Sequence, residues 1–241
     1  KWYATVCYEV EDTPGQDDGR VLGADMNVRQ VTAHTGAMLV APNLARLEAR
    51  RRRYQRIAAR RRKGSKRQAI ARHLAARTGR KLAQTRRAWR HRATRVLADS
   101  AALVVMEDLK THAMTASAKG TAEAPGTNVK AKAGLNREIQ ATGWGEMKAM
   151  LAYKANAIET VNPAYTSQRC AACGHTGAQN RTTQARFACR ACGHRDHADV
   201  NAAKNILASA TGAAGRGEAL ALATSTIRQQ VSERDIVKLW I

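Results

Sequence analysis

The sequence has 241 residues, of which 44% are hydrophobic and 25% are charged. These proportions are typical of a folded globular protein and exclude a disordered tail or a coiled coil. The net charge of +22, from 41 lysines and arginines against 19 acids, predicts a polyanionic partner, because self-repulsion of this size needs neutralisation. Nucleic acid is the favoured partner. An anionic membrane surface is the weaker alternative, since the basic segments lack an interfacial hydrophobic face.

The first residues of the chain predict a strand. Residues 1–10 alternate between two sets of side chains with the period of a β-strand, unlike a signal peptide, and a Pro-Gly turn follows in residues 11–20. No run approaches the roughly 18 apolar residues that a membrane-spanning helix needs. We therefore expect neither a membrane partner nor secretion.

Short strands are predicted next. The pattern favours a strand over residues 21–27 and then a strand pair or meander over residues 28–40, with a turn at Gly36. Asp25 lies inside the first of these strands.

A basic helical segment follows the strands. Helical periodicity runs from residue 43 to about residue 100 and breaks at Gly64, which predicts a hairpin of two long helices. Residues 46–95 include 21 basic residues and a single acid, Glu48. A merely solvated surface is the alternative, but such surfaces mix both signs, and runs of four cations repel one another without a counter-anion. The predicted nucleic-acid contacts are Arg50, Arg51, Arg52, Arg53, Arg56, Arg60, Arg61, Arg62, Lys63, Lys66 and Arg67.

The second half of the chain begins with an apolar run at residues 101–106, which ends at Glu107 and Asp108. This pattern predicts a buried strand whose C-terminal end bears carboxylates. Residues 111–133 show no periodicity, which predicts a long mobile loop. The remaining predicted elements are a helix over residues 135–157, a strand over residues 157–161, a helix over residues 198–210 and a tail without an assigned role.

Four of the five cysteines form two Cys-x-x-Cys pairs, Cys170 with Cys173 and Cys189 with Cys192, while Cys7 stands apart. A Gly-His turn follows each pair and lets backbone N–H groups point at the thiolates, and the stretch between the pairs can form a short hairpin. Two disulfides are the alternative, but a basic chain without a secretion signal favours a zinc ribbon. Four thiolates complete a tetrahedral Zn²⁺, so this ion is expected to be structural.

Three acids stand out because acids are scarce in this chain: Asp25, Glu107 and Asp199 at the start of the last predicted helix. Asp199 could be a helix N-cap and Asp25 a turn residue, whereas a carboxylate that ends a buried strand needs a partner to stay ionised. Hard oxygen ligands suit Mg²⁺, and two such ions about 4 Å apart can position a water and stabilise the leaving oxygen of a phosphodiester. The triad therefore predicts a nuclease.

The segments around these acids form an ordered set of motifs. Residues 21–28, 104–109 and 199–206 each contain one acid, and residues 134–137, 143–145, 153–155 and 165–170 lie between them. This combination resembles the three RuvC motifs and the zinc-ribbon signature of TnpB proteins, the OrfB "transposases" of bacterial insertion sequences and relatives of compact type V CRISPR effectors. The resemblance covers residues 21–207.

The resemblance implies an α/β, RNase H-like (RuvC) fold, in which a mixed sheet receives a long basic helical hairpin and an inserted zinc ribbon. Four regions are implied: residues 1–20 as the tail of a mostly absent N-terminal barrel, residues 21–163 as a RuvC nuclease domain with the hairpin at residues 43–100, residues 164–195 as the zinc ribbon, and residues 196–241 as the C-terminal part of RuvC with a tail.

The resemblance also implies an activity, that of an RNA-guided, Mg²⁺-dependent DNA endonuclease encoded by a transposable element. Its partners would be a guide RNA and a target DNA, in the bacterial cytoplasm at the nucleoid. Asp25, Glu107 and Asp199 become the catalytic acids that bind two Mg²⁺. Asp108 and Asp196 are competitors, and Asp199 is preferred because the family pattern has the acid directly before x-Asn-Ala-Ala.

The sequence departs from the family in two respects. Little precedes the first RuvC motif, although members usually have an N-terminal barrel and a helical domain there, so we expect a fragment or a naturally short copy. Asn27 stands where the family usually has glycine.

Two other functions are weighed against cleavage. A guided or non-specific DNA-binding protein would not need the intact acid triad. A DNA transposase would need another catalytic arrangement, and the sequence has no distinct His-hydrophobe-His motif with a tyrosine. The oligomeric state is left open.

Overall fold

The computed structural model describes residues 19–211. The predicted strand at residues 1–10, Cys7 and the tail after Thr211 lie outside these residues. Of the barrel tail predicted over residues 1–20, only residues 19 and 20 are described.

Outside residues 111–157, strands and helices follow one another in the order that the sequence predicts. The strands are β1 (Val21–Asn27), β2 (Gln30–Ala33), β3 (Met38–Val40), β4 (Leu103–Glu107), β5 (Ala157–Val161), β6 (Arg186–Ala188) and β7 (Arg195–His197). The α-helices are α1 (Ala45–Arg60), α2 (Lys66–Ser100), α3 (Thr111–Met114), α4 (Val129–Thr142), α5 (Trp144–Lys154) and α6 (Ala198–Thr211).

A five-stranded mixed sheet lies at the centre of the fold, with the strand order β3-β2-β1-β4-β5. The first three strands pair antiparallel, as the predicted meander requires. β1 pairs with β4 and β4 with β5 in parallel, so the chain must cross over between them, which α4 and α5 do between β4 and β5. The prediction of an α/β fold with a mixed sheet is confirmed.

The sheet buries one face under three helices. Alternate residues of β1 and β4, such as Leu22 and Met106, point to this face and pack against α2, α4 and α5. The buried side chains that the helices contribute are Ala93, Leu97, Ile139, Trp144, Met147 and Leu151. This cluster is the larger of the two cores that the sheet forms with its helices.

The opposite face of the sheet packs against α6. Val105 and Val161 form a smaller core with Ile206 of this helix. Gly23 of β1 permits a close approach, because a Cβ atom added there would lie 2.4 Å from the carbonyl oxygen of Ala203. The N-terminus of α6 therefore lies beside the end of β1 that bears Asp25.

The helical hairpin is confirmed. Gly64, with a φ of 79°, lies in the short connection between α1 and α2. Ser65 caps α2 by accepting a hydrogen bond from the backbone N–H of Gln68 at 3.2 Å. Among the residues that the structure describes, no helix is both long enough and apolar enough to span a membrane.

Two predictions for residues 111–157 need correction. The loop expected over residues 111–133 is limited to residues 115–128, because α3 precedes it and α4 already begins at Val129. After Val129, the first residues of α4 are helix-forming alanines and lysines without a large apolar stripe. The single helix expected over residues 135–157 is two helices. Gly143 adopts a φ of 74°, in the left-handed region, and ends α4.

The short hairpin predicted between the cysteine pairs is present, because an antiparallel bridge joins Arg181 to Phe187. In addition, β6 and β7 flank the second cysteine pair, and a bridge between Arg169 and Thr176 flanks the first pair in the same way. Gly174 and Gly193 follow the two pairs with φ values of 79° and 73°, which close both turns. Each Cys-x-x-Cys therefore occupies a turn between two short antiparallel segments.

Candidate metal centres and nucleic-acid interface

The three predicted acids come from different elements and meet at one edge of the central sheet. The register pairs Ala24 with Met106, so Asp25 and Glu107 occupy the next positions of adjacent parallel strands and point to the face covered by α6. Asp199 lies in the first turn of α6. The charges of Glu107 and Asp199 both act on the pKa of Asp25, so both carboxylates lie within electrostatic range of Asp25.

Burial disfavours the charged forms of Asp25 and Glu107, and repulsion by the neighbouring carboxylates adds to this effect at Asp25. Burial, then the charge of Glu107, raise the pKa of Asp25 from 3.8 to about 7, although a hydrogen bond from Asn27 lowers it. Burial also raises the pKa of Glu107. Since a bound cation relieves both desolvation and repulsion, this electrostatic state favours a divalent ion at the site.

The alternative structural roles of two acids are excluded. Asp199 is not the cap of α6, because Nδ1 of His197 accepts the hydrogen bond from the backbone N–H of Asp199 at 3.3 Å. Asp25 is not in a turn but within β1, opposite Thr32 of β2.

Four donors that the sequence analysis missed contact the three carboxylates. They are Asn27 (Nδ2 to Asp25 Oδ2, 2.7 Å), Thr166 (Oγ1 to Glu107 Oε1, 2.5 Å), Arg181 (guanidinium to Asp199 Oδ1, 3.3 Å) and Gln30 (Nε2 to Asp199 Oδ2, 3.4 Å). Strand alternation could have identified Asn27, because it lies two residues after Asp25 on the same face. Thr166 and Arg181 come from the cysteine region, and no local signal links them to the acids.

The carboxylate site has the chemistry that Mg²⁺ needs. Among the described residues, no donor contacts Oδ1 of Asp25 or Oε2 of Glu107. These are hard oxygen ligands. The carboxylate oxygens of the three acids do not all lie within 4.8 Å of one another, as ligands of a single ion would. Two ions about 4 Å apart would need such a wider spacing of the oxygens.

The two competing acids have other partners. Asp108 is paired with Lys110 and Lys148, and these ion pairs lower its pKa. Asp196 is paired with Lys204 at 2.7 Å. Neither acid is among the charges that shift the pKa of Asp25.

The four predicted cysteine ligands form a second cluster. Their sulfur atoms all lie within 4.8 Å of one another, and this is the one such group among residues 19–211. The Sγ atoms are 3.8 Å apart for Cys170 and Cys192 and 3.6 Å apart for Cys173 and Cys189. A tetrahedron of thiolates about 2.3 Å from a central ion has edges of about 3.8 Å, so the cluster could hold a metal ion.

The local backbone favours thiolates in this cluster. All four cysteines are free, which does not support the disulfide alternative. A backbone hydrogen bond from Cys192 is the largest of the effects that lower the pKa of Cys189 to about 6. Burial raises the pKa of Cys170. A metal ion overrides such a burial effect, because it deprotonates a coordinating thiol outright.

Buried amides of α6 join the cysteine region to the sheet. Asn201 donates to the carbonyl oxygen of Arg169 at 2.7 Å and accepts from the backbone N–H of Ala171 at 3.0 Å. Asn205 donates to the carbonyl oxygens of Thr166 and Arg169 at 2.9 and 2.7 Å. The helix that carries Asp199 in its first turn therefore also fixes the entry to the first cysteine pair.

The helical hairpin presents its cations to solvent. All eleven predicted contacts, from Arg50 to Arg67, are exposed, and none forms an ion pair with a described residue. The structure adds cations that the sequence analysis did not single out, since Arg77, Arg80 and Lys81 of α2 line a groove of about 810 Å³ beside α1. The half-buried side chains of the groove are Leu47, Tyr54 and Leu74.

Comparison with known proteins agrees with the resemblance. The model of the OrfB_IS605 family, described as "Probable transposase", matches residues 5–118, and that of the "Cas12f1-like, TNB domain" matches residues 144–206. The "Putative RNA-guided DNA endonuclease InsQ" of Escherichia coli (strain K12) is 38% identical over 225 residues, which are 90% of this chain and 56% of that protein. The chain is therefore similar to TnpB/OrfB proteins over residues 5–118 and 144–206.

One further sequence match and one structural match concern Cas12f1 proteins. The chain is 41% identical over 75 residues to the "CRISPR-associated endodeoxyribonuclease Cas12f1" of Sulfoacidibacillus thermotolerans, over 30% of this chain and 18% of that protein. The "Cryo-EM structure of the Cas12f1-sgRNA-target DNA complex" has the same fold, with a TM-score of 0.51, 20% identity and coverage of 79% of this chain and 50% of that one. The matched part of this chain spans little more than half the length of InsQ.

Proposed function

We propose that this chain is the nuclease core of a TnpB-type, RNA-guided DNA endonuclease encoded by a transposable element. One observation supports cleavage above all: Asp25, Glu107 and Asp199 meet at one edge of the sheet, where repulsion and burial raise the pKa of Asp25 to about 7. A site this unfavourable for carboxylates is typical of a functional centre. The names of InsQ and Cas12f1 support the same activity.

In this proposal the mixed sheet is the RNase H-like (RuvC) core that the resemblance implies. Residues 21–163 and 196–211 belong to the nuclease domain, and residues 164–195 form a zinc ribbon. The bonds of Asn201 and Asn205 to the ribbon support an insertion that packs closely on the core.

The three acids hold two Mg²⁺ ions, with Asp25 and Glu107 each offering an oxygen that no described residue contacts. Bound Mg²⁺ lowers the pKa of a water and stabilises the leaving oxygen of a phosphodiester. The protein contributes the position of the acids, which rigid strands and the first turn of α6 fix. Arg181 neutralises part of the charge of Asp199.

The cysteine cluster binds Zn²⁺ in a structural role. Sulfur spacings of 3.6 and 3.8 Å support a tetrahedral four-thiolate site, which leaves no open position for water. Hydrolysis is therefore assigned to the carboxylates and not to this ion.

A guide RNA and a target DNA are the proposed polyanions. The exposed cations of the hairpin, among them Arg52 and Arg62, suit phosphate backbones, and only 4% of the residues are aromatic and thus able to stack on bases. This composition supports a protein that leaves sequence recognition to base pairing. Such a chain acts at the bacterial nucleoid, in the cytoplasm.

Cleavage by the chain purified with its cellular RNA tests the proposal. Labelled single-stranded and double-stranded DNA that match this RNA are incubated with Mg²⁺ or EDTA. We expect Mg²⁺-dependent cutting that Asp25→Asn and Glu107→Gln abolish. Asp108→Asn is the matched control, because this neighbouring acid is half-buried and paired with two lysines.

Three outcomes would contradict the proposal in different ways. Cutting retained by Asp25→Asn would overturn the assignment of the acids. Tight binding of matched DNA without cutting would favour the DNA-binding alternative. Joining of DNA ends by the chain would favour the transposase.

A further inference from the structure

Each of two acids in the carboxylate site receives one neutral hydrogen-bond donor. The amide Nδ2 of Asn27 lies 2.7 Å from Oδ2 of Asp25, and the hydroxyl of Thr166 lies 2.5 Å from Oε1 of Glu107. In both pairs only one carboxylate oxygen is engaged by a described residue. The two pairs therefore have the same design, although their donors come from different parts of the chain.

Both donors are held firmly by the fold. Asn27 pairs with Gln30 at the end of the β1–β2 hairpin, and its carbonyl oxygen accepts from the indole N–H of Trp144 at 3.1 Å. Thr166 is buried, and its carbonyl oxygen accepts from Asn205 at 2.9 Å. Because the backbones of Asn27 and Thr166 are fixed, their side chains can restrain the two carboxylates. A donor on a mobile backbone would move together with its carboxylate and could not restrain it.

The Thr166 hydroxyl has two acceptors within reach but a single hydrogen. Besides Glu107, the carbonyl oxygen of Pro163 lies 3.1 Å away. The shorter contact to the carboxylate and the greater strength of a charge-assisted bond favour Glu107.

Neutral donors differ from the cations that other acids of this chain receive. Asp108 is paired with two lysines and Asp196 with Lys204, so much of their negative charge is already compensated. An amide or a hydroxyl orients a carboxylate but leaves its full charge to attract a metal ion.

We propose that Asn27 and Thr166 are positioning residues, each of which fixes one oxygen of its carboxylate and leaves the other oxygen available to a divalent cation. This inference rests on the proposed function, because it assumes that Asp25 and Glu107 bind metal. It extends the set of site residues to one amide that lies outside the family pattern and to one hydroxyl from the cysteine region.

Binding of Mn²⁺ to the full chain tests the proposal without requiring cleavage. Free Mn²⁺ is measured by electron paramagnetic resonance during a titration, and Mn²⁺ does not compete for a four-thiolate site. We expect Asn27→Ala and Thr166→Val each to weaken Mn²⁺ binding about tenfold, the lower end of the range for residues that orient metal ligands. Thr166→Ser should bind as the wild type does, because it restores the hydroxyl.

Matched variants separate positioning from folding. Gln140→Ala removes an exposed amide from α4, and Thr127→Val removes an exposed hydroxyl, so neither should change Mn²⁺ binding. The melting temperature of every variant is measured by circular dichroism. A loss of Mn²⁺ affinity that appears only with a lower melting temperature, or that Thr166→Ser does not restore, would overturn the positioning role.

The result for Asp25→Asn separates this inference from the proposed function. If Asp25→Asn loses Mn²⁺ binding while Asn27→Ala and Thr166→Val retain it, the positioning role is overturned and the metal site stands. If the wild type binds Mn²⁺ no better than Asp25→Asn does, the metal site and the positioning role are both overturned.

Discussion

The cysteine region and the carboxylate cluster both contact α6, but they are assembled in different ways. Each cysteine pair sits in one tight turn closed by a glycine, and only the two turns have to meet. The three acids come from β1, β4 and α6. Glu107 and Asp199 receive hydrogen bonds from side chains of the cysteine region, whereas Asp25 receives its hydrogen bond from Asn27 of the same strand. Local backbone geometry therefore builds most of the first site, and tertiary packing builds the second.

This difference predicts which of the two sites depends on a bound metal ion for its folded structure. The thiolates need an ion to hold four negative charges together, whereas the acids already lie in a packed fold that raises the pKa of Asp25. We expect metal removal to unfold the cysteine region and to leave the sheet intact.

The largest effect is expected from Cys189→Ser. Structural Zn²⁺ contributes on the order of 10 kcal/mol of apparent binding free energy in small domains, so loss of one thiolate should unfold the cysteine region. The zinc content of the purified chain should fall and proteases should cut within residues 164–197, while far-ultraviolet circular dichroism still shows α1 and α2. Cys7→Ser is the control. An unchanged zinc content in Cys189→Ser would contradict the four-thiolate site.

A smaller and opposite effect is expected from Asp25→Asn in EDTA. The folded-state pKa of Asp25 is raised, so the folded chain binds more protons than the unfolded chain between about pH 4 and pH 7. Ionisation of Asp25 therefore destabilises the wild type as the pH rises through this range. Asp25→Asn should be more stable than the wild type at pH 8, by at most about 4 kcal/mol, since one pKa unit corresponds to about 1.4 kcal/mol.

Urea denaturation at several pH values measures this difference. The advantage of Asp25→Asn should shrink as the pH falls toward 4, and Mg²⁺ at pH 8 should stabilise the wild type more than the variant. An advantage that does not depend on pH would show that burial of Asp25 has no electrostatic cost.

Gly23→Ala tests the carboxylate cluster without touching the cysteines. The new Cβ would lie 2.4 Å from the carbonyl oxygen of Ala203, so α6 must move away from β1. Overpacking of this kind costs about 1–3 kcal/mol. The urea midpoint should fall and Mn²⁺ binding should weaken, while the zinc content stays the same. Gly134→Ala, where a Cβ meets nothing within 4 Å, should not lower stability, and equal behaviour of the two variants would contradict close packing by α6.

The smallest effect is expected from Asp108→Asn. Asp108 is half-buried, and its two lysine partners are partly or fully exposed, so its removal should leave stability and Mn²⁺ binding almost unchanged. A titration with Mn²⁺ checks this directly. A marked loss of binding would place Asp108 among the metal ligands in competition with Glu107.

Much of the fold could be predicted from local patterns. Strand alternation around Asp25 and the apolar run before Glu107 correspond to β1 and β4, and the break at Gly64 separates the two helices of the hairpin. The errors occurred where local patterns are weak. Residues 129–133 form helix without a large apolar residue after Val129, and the left-handed conformation of Gly143 divides a segment whose periodicity suggests a single helix.

The two cysteine turns and the basic hairpin could be predicted from the sequence alone, and the three acids could be proposed from it, because spacing, charge and alternation are properties of neighbouring residues. The contacts of Thr166 and Arg181 with these acids, and the absence of an effect of Asp108 on the pKa of Asp25, follow only from the packing of distant elements. Those contacts join residues up to 59 positions apart. They depend on how α6 packs on Gly23 and on the cysteine region, and no local pattern encodes that packing.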